Sequence, residues 1–255
     1  MDIKIIVATH KRCQMPSDDV YLPLQLGKAG QEPLGYMGDN TGDHISEKNA
    51  TFCELTGLYW AWKNLAADYK GLVHYRRCFT RGNPWFAKRQ AIYRRADFEK
   101  TLAVTDIIVP DWREYYIETN ASHYAHAHFG RDLGILRQII EARQPRFLVA
   151  FDTVMARTGA HMFNMMVMKA QRFDAYCAWL FDLLFAAEKR LDISRYDSYQ
   201  QRVFGFLGEL LLDVWLEGTH FPYQEVNVAF MGHQNWIKKG GRFLVRKFWP
   251  KKKAW

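Results

Sequence analysis

His74, Tyr75, Arg76 and Arg77 stand in a row directly after the apolar stretch Gly71-Leu72-Val73. An imidazole, a phenol and two guanidiniums at the end of a strand form a charge-assisted site for a phosphate or diphosphate group. A second polar run, Thr9-His10-Lys11-Arg12, follows the apolar residues 3–8, and Asp111 follows Pro110 after a third short apolar run. In open α/β sheets ligands bind in the crevice beyond the carboxyl ends of the strands. Two of these three strand ends are cationic. The competing reading of Arg76 and Arg77 is a pair of ordinary surface ion pairs. The chain has no GxxxxGK[ST] and no GxGxxG, which excludes a P-loop and a dinucleotide fingerprint.

Three carboxylates are candidates for proton transfer. Glu209 is surrounded by Phe206, Leu207, Leu210 and Leu211. Half-burial there raises a carboxyl pKa and suits a general base for a hydroxyl group. The alternative is an internal ion pair with Arg202, two helical turns earlier on the same face. Gly205 and Gly208 in this helix each cost up to about 1 kcal/mol against Ala, which implies a close approach there, by substrate in this reading. Asp152, after the run FLVAF, is the second candidate and Asp111 the third.

Asp39, Asn40, Asp43, Ser46, Glu47 and Asn49 crowd the segment before a predicted helix, whose N-terminus favours anions. Asp39 and Asn49 are read as ligand contacts, and Ser46 as a helix cap. Asn164 lies within HMFNMMVMK, a predicted strand at 161–168, and needs a partner if buried. Within SHYAHAHFGRDL, His123, His126 and His128 have only Asp132 as an acidic neighbour, and the four Cys show no zinc spacing, so no metal site is expected. His128 is read as an acceptor or phosphate contact, and His123 as a surface side chain.

The elements that must position these groups alternate. Strands are expected at 3–8, 71–75 and 106–109, and helices at 52–65 and 94–103, with loops over 12–46. This pattern predicts an α/β fold with a mainly parallel sheet. The second half is more helical, with helices expected at 132–143, 173–190 and 199–216. Residues 1–235 read as one domain, followed by a basic, aromatic tail at 236–255. The chain has 255 residues, is 49% hydrophobic and carries a formal net charge of +8, which calls for one sizeable core and an anionic partner. It opens without the apolar core of a signal peptide and has no uninterrupted apolar run of membrane-spanning length, so a reduced, cytoplasmic protein is expected.

Three long motifs carry a resemblance. GDNTGDHISEKNATFCELTGLYWAWKN, GLVHYRRCF and YQQRVFGFLGELLLDVW, within about residues 3–230, resemble a bacterial family from capsular, exopolysaccharide and O-antigen gene clusters. Its members are treated as glycosyltransferases with a GT-A-like fold, some linked to galactofuranosyl transfer. The resemblance implies a UDP-sugar donor and a lipid-linked glycan acceptor, with inversion as the preferred outcome. It places Thr9, His10 and Lys11 beside the nucleotide and Asn164 beside the donor sugar; Arg202 is read as a further nucleotide-sugar contact. Many such enzymes hold a divalent metal on an Asp-x-Asp motif. This chain has none, and the cations after His74 stand where that motif is expected, so fixed charge takes the metal's electrostatic role. The tail suits an anionic membrane surface at the inner face of the cytoplasmic membrane. The alternative is a basic nucleic-acid-binding protein without catalysis, although no RNP, KH or zinc-finger pattern is present.

Overall fold

The β-branched run at the N-terminus becomes β1 (Ile3–Thr9), buried almost throughout, as expected of a strand covered on both faces. The structure, a computed structural model, describes residues 1–83 and 91–231. The tail at 236–255 lies outside the described residues. After β1 the strands are β2 (Tyr21–Gln25), β3 (Met37–Gly38), β4 (Tyr69–His74), β5 (Arg77–Phe79), β6 (Ile107–Pro110), β7 (Arg113–Glu114), β8 (Gly159–Ala160), β9 (Met166–Lys169), β10 (Gln224–Val226) and β11 (Val228–Phe230). The α-helices are α1 (Asn49–Phe52), α2 (Leu55–Asn64), α3 (Arg95–Leu102), α4 (Asn120–Ala127), α5 (Arg131–Arg143), α6 (Leu148–Ala156), α7 (Ala170–Arg190) and α8 (Val203–Thr219).

The main sheet runs β10-β6-β9-β4-β1-β2-β3, with β5 and β11 added beyond β4. β1 is parallel to β2 and β4, β2 to β3, and β6 to β10, while β9 runs antiparallel between β4 and β6. The mainly parallel α/β architecture is thus present, with one reversed strand near its centre. Successive side chains alternate faces. Ile6, Leu72 and Ile107 point into a large core shared with α2 and α5 to α8. Ile5, Val7, Val73 and Ile108 point into a smaller core that includes Phe98 of α3.

Three sequence expectations change. The presumed loops at 12–46 contain β2 and β3. The helix expected at 52–65 is broken at Cys53, which has φ 53° and ψ −130°, giving α1 and α2. The strand expected at 161–168 starts only at Met166; Phe163 and Asn164 form a turn with φ of 81° and 51°. The FLVAF run and Asp152, for which no element was expected, lie in a helical stretch, mostly α6.

The glycines of α8 explain the break. A Cβ on Gly205 would lie 3.1 Å from the Cys53 sulfur, and one on Gly208 would lie 2.8 Å from Leu55 Cδ1 and 3.1 Å from Asn164 Oδ1. The close approach inferred at these positions is therefore made by the α1–α2 break and the Asn164 turn. It is protein packing, and it brings both segments against Glu209.

Candidate active site

Parallel pairing of β1 and β4 sets Ala8 opposite His74. Their exits, His10-Lys11 and Tyr75-Arg76, therefore emerge side by side. The Tyr75 ring organises them: Lys11 Nζ lies 5.2 Å from its centroid, the Arg76 guanidinium 5.3 Å, and the His10 ring meets it edge-on at 5.3 Å. Partial burial and the charges of Arg76, Lys11 and Arg202 hold the His10 imidazole below its ordinary pKa. Two sequence-distant strand ends and the entrance to α8 thus share one positive field.

Arg77 points elsewhere, as alternation along the backbone requires. Its guanidinium is sandwiched between Phe163 at 4.2 Å and Phe230 at 5.1 Å, and its Nε is buried without a hydrogen-bond partner. Burial and the neighbouring Arg76 lower its pKa. The Arg202 Nε lies 3.1 Å from the Cys53 sulfur. Among the described residues Lys11, Arg76, Arg77, Arg113 and Arg202 form no ion pair with any carboxylate.

Glu209 faces this cluster from α8. It is half-buried, and among the described residues its carboxylate makes no hydrogen bond or ion pair, so the Arg202–Glu209 pair weighed above is not formed. Burial, reinforced by the negative charge of Glu54, pushes its pKa up to about 7, against the opposing pull of Arg77, Arg113 and Arg202. A half-buried carboxyl group poised near neutrality and next to unpaired cations has the properties of a general base.

Two neighbours of Glu209 were missed from sequence. Glu54 was read as an interior helix residue, because nothing in TFCELT marks the left-handed break before it. Its Oε1 accepts from the Asn164 amide at 2.8 Å, and the same amide donates to Gly205 O at 3.1 Å. The other amide atom, Asn164 Oδ1, is buried and unpartnered, turned toward α8 where Gly208 has no side chain. Arg113, two residues after Asp111, carries no mark in the sequence that separates it from a surface cation.

Several candidates have internal duties. Asp39, fully buried, accepts from Gly27 N, Lys28 N, Ser46 Oγ and Thr56 Oγ1 at 2.5–3.0 Å, which fills its acceptor capacity and removes it as a ligand contact. Ser46 serves this hub; it makes no helix cap. Asn49 donates to Cys53 O at 2.8 Å and Thr56 Oγ1 at 3.0 Å, and so fastens the α1–α2 break. The Thr9 hydroxyl, buried, donates to Lys11 O at 2.7 Å and shapes the turn after β1. His74 Nε2 lies 2.7 Å from Phe163 O and holds the Phe163–Asn164 turn. Asp152 is exposed and bonded at both oxygens by Arg137 at 2.8 Å, which lowers its pKa and makes it a poor base.

Asp111 sits apart from the cations, whereas His128 shares the Tyr199 and Phe206 rings with Arg202. Asp111 belongs to a second cluster, where buried His161 bonds Asp213 of α8 and, at 3.2 Å, Glu225 of β10. Burial and Glu225 raise the Asp111 pKa. His128 bonds Gln200 at 3.0 Å and stacks on Phe206 at 4.0 Å, one turn before Glu209. Tyr199, exposed, completes that aromatic group at 5.9 Å from His128. Among the described residues no three His, Cys, Asp or Glu side chains converge as metal ligands.

Comparisons with known proteins bear on the fold. A solved structure described as the apo form of WbbM, a bifunctional glycosyltransferase, matches with a TM-score of 0.86 at 27% identity over 91% of this chain. The match covers 46% of WbbM, so this chain corresponds to less than half of that protein. No curated protein matches the chain. Residues 4–220 match the model of a domain family described as one of unknown function, DUF4422. That match spans most of the sequence, and the chain belongs to the DUF4422 family.

Proposed function

We propose that this chain is a glycosyltransferase that moves a sugar from a nucleoside-diphosphate donor to a glycan hydroxyl. One observation carries the reading: Lys11, Arg76 and Arg202 share one positive field without carboxylate partners, near the half-buried Glu209 carboxyl group, whose pKa burial pushes up to about 7. Unpaired cations at strand ends await an anion. The likeness to WbbM supplies the sugar chemistry, since its description is that of a glycosyltransferase.

In this mechanism Lys11, Arg76 and Arg202 face the donor diphosphate. Glu209 takes the proton of the acceptor hydroxyl as its oxygen attacks the anomeric carbon. The bond from that carbon to the diphosphate oxygen breaks, and the leaving charge passes to the fixed cations. Asn164, fully buried with its amide donating to Glu54 and Gly205 O, fixes Glu54 beside the base and does not reach the donor sugar. In-line attack inverts the anomeric centre. The donor is UDP-linked, with galactofuranose the preferred sugar. The acceptor is a lipid-linked oligosaccharide of a bacterial surface polysaccharide, and His128 with Tyr199 and Phe206 lies where it would enter.

The protein then works from the cytoplasm at the inner face of the membrane. Among the described residues no helix is long and apolar enough to cross a membrane. Residues 232–255 contain eight basic and no acidic residues and so account for the whole +8, which leaves the rest of the chain neutral. This segment is the lipid-binding element of the proposal. The nucleic-acid alternative rests on that same segment alone.

Release of UDP from UDP-sugars, with and without a glycan acceptor and in excess EDTA, tests the reaction. Acceptor-dependent UDP release that persists in EDTA supports it. Release that requires Mn²⁺ or Mg²⁺ overturns the fixed-cation mechanism.

A further inference from the structure

An aromatic patch borders Glu209. Arg202, Phe206 and Glu209 recur at positions i, i+4 and i+7, so they form one stripe along α8 and the residue before it. The His128 ring lies over Phe206 at 4.0 Å with the planes 26° apart, and stands 5.9 Å and 20° from Tyr199. Tyr199 and Phe206 meet directly at 5.3 Å. The Arg202 guanidinium is 5.5 Å from the Phe206 ring and 6.0 Å from the Tyr199 ring. Three rings therefore continue from a member of the cation cluster towards the candidate base.

The patch is braced from behind. Gln200 Nε2 donates to Ala127 O at 2.9 Å, while its Oε1 lies 3.0 Å from His128 Nδ1. The buried Tyr124 ring backs His128 at 4.9 Å. Asp197 Oδ1 accepts from Tyr199 N at 3.0 Å and Gln200 N at 2.8 Å, which fixes the chain just before α8. Tyr199 nevertheless stays 43% exposed. A ring held in place with its face in water gains free energy when an apolar surface covers it.

One face of a pyranose is such a surface. Its ring C–H bonds are apolar, and its hydroxyl groups project from the edge. Stacking on an aromatic ring buries the C–H face and leaves the hydroxyls free for hydrogen bonds, the usual division of labour in a ligand site. Phe206 and Glu209 are separated by about 4.5 Å of helix rise, close to the width of a sugar ring. A sugar on the patch therefore presents an edge hydroxyl to Glu209. Gln200 is tied at both ends, and Arg202 faces the diphosphate in the mechanism above. Recognition then comes from stacking rather than fixed charge, which suits a neutral sugar.

We propose that Tyr199, Phe206 and His128 form the acceptor subsite and take a neutral hexopyranose by its C–H face, with the reacting hydroxyl at its edge beside Glu209. This rests on the reading of Glu209 as the base and adds the class of acceptor sugar. Tyr199, the exposed ring, sets the specificity.

Saturation-transfer NMR of the full chain with saturating UDP tests this. The probes are the methyl glycosides of galactose, glucose and mannose, with that of glucuronic acid as the charged comparison. Irradiation of aromatic protein resonances should reach the ring C–H protons of at least one neutral glycoside more strongly than those of the glucuronide. Tyr199→Ala should weaken that binding by about tenfold, because an apolar face returns to water. Tyr199→Trp should restore it, and both variants should keep the melting temperature and the UDP affinity measured by calorimetry. Loss of UDP affinity in Tyr199→Ala gives the ring to the nucleotide base and overturns the acceptor subsite. Unchanged glycoside binding in Tyr199→Ala, no binding of any neutral glycoside, or a preference for the glucuronide overturns it as well. No UDP binding by the wild type overturns the underlying reading of the cations.

Discussion

Two ionic clusters lie on either side of Glu209, and they are built on opposite plans. Around Tyr75 the cations Lys11, Arg76 and Arg202 converge without a carboxylate partner. One turn further along α8, His161 is buried against Asp213 and Glu225, with Trp112 and Tyr223 edge-on at 5.2 and 5.3 Å. Burial opposes charge on that imidazole, and the carboxylates of Asp213 and Glu225 prevail, holding its pKa above the ordinary value. The second cluster satisfies itself; the first is incomplete without an anion. A charged cluster that leaves its field unmatched is built for a ligand, and one that closes on itself is built for stability.

Glu209→Gln gives the largest effect on the open cluster. Turnover should fall about 10²–10⁴-fold, the usual contribution of positioned proton transfer. The fold should not suffer. Because the pKa of Glu209 in the folded protein lies above its unfolded value, its contribution to stability is full below about pH 4.5 and is lost as pH rises through about 7. The variant should therefore melt higher than the wild type at pH 8 and alike at acid pH. Paired kinetic and melting curves check both outcomes.

The closed cluster should respond in the opposite way. Asp213→Asn breaks a buried pair and should destabilise by about 3–5 kcal/mol, with UDP affinity retained in the protein that remains folded. The raised pKa of His161 makes the wild-type contribution full below about pH 6.5 and lost as pH rises through its folded value. Urea titrations at pH 6 and pH 9 should show this difference in the wild type and a flattened one in the variant.

Arg77 and Arg76 separate the two plans within one dipeptide. Arg77→Ala removes a guanidinium stacked between two Phe rings and should lower stability by about 1–2 kcal/mol, whereas Arg76→Ala, on the exposed side, should melt like the wild type. Equal melting curves would remove the distinction. The smallest effect is expected from Glu54→Gln. Loss of its negative charge should move the midpoint of Glu209 ionisation, followed by carboxyl-carbon NMR, below about 7. An unchanged midpoint would remove Glu54 as the group that tunes it.

Much of this was legible in the sequence, for identifiable reasons. The apolar runs of β1, β4 and β6 announce buried parallel strands, and the cations after β1 and β4 fall where an open sheet binds ligands. Glu209 stood out because a carboxylate amid Phe and Leu must be either paired or used. The polar segment around Asp39 misled, because its acidic and amide groups fasten one another and the backbone, a pattern that composition cannot distinguish from a ligand loop. Asp152 misled because its partner, Arg137, is remote in sequence. Glu54 and Asn164 were misjudged for a shared reason: both sit at positive-φ breaks, Cys53 and Phe163-Asn164, where neither residue type advertises the conformation. Their meeting is set by Gly205 and Gly208, whose spacing was noticed but was assigned to substrate.

Calorimetry of UDP binding to the wild type, Arg76→Ala and Arg202→Ala tests the central claim, that the unpaired cations hold a nucleoside diphosphate. The account predicts measurable binding to the wild type, losses of about 1.5–3 kcal/mol in each variant, and an affinity that falls with added salt. No binding by the wild type, or unchanged affinity in both variants, would contradict it.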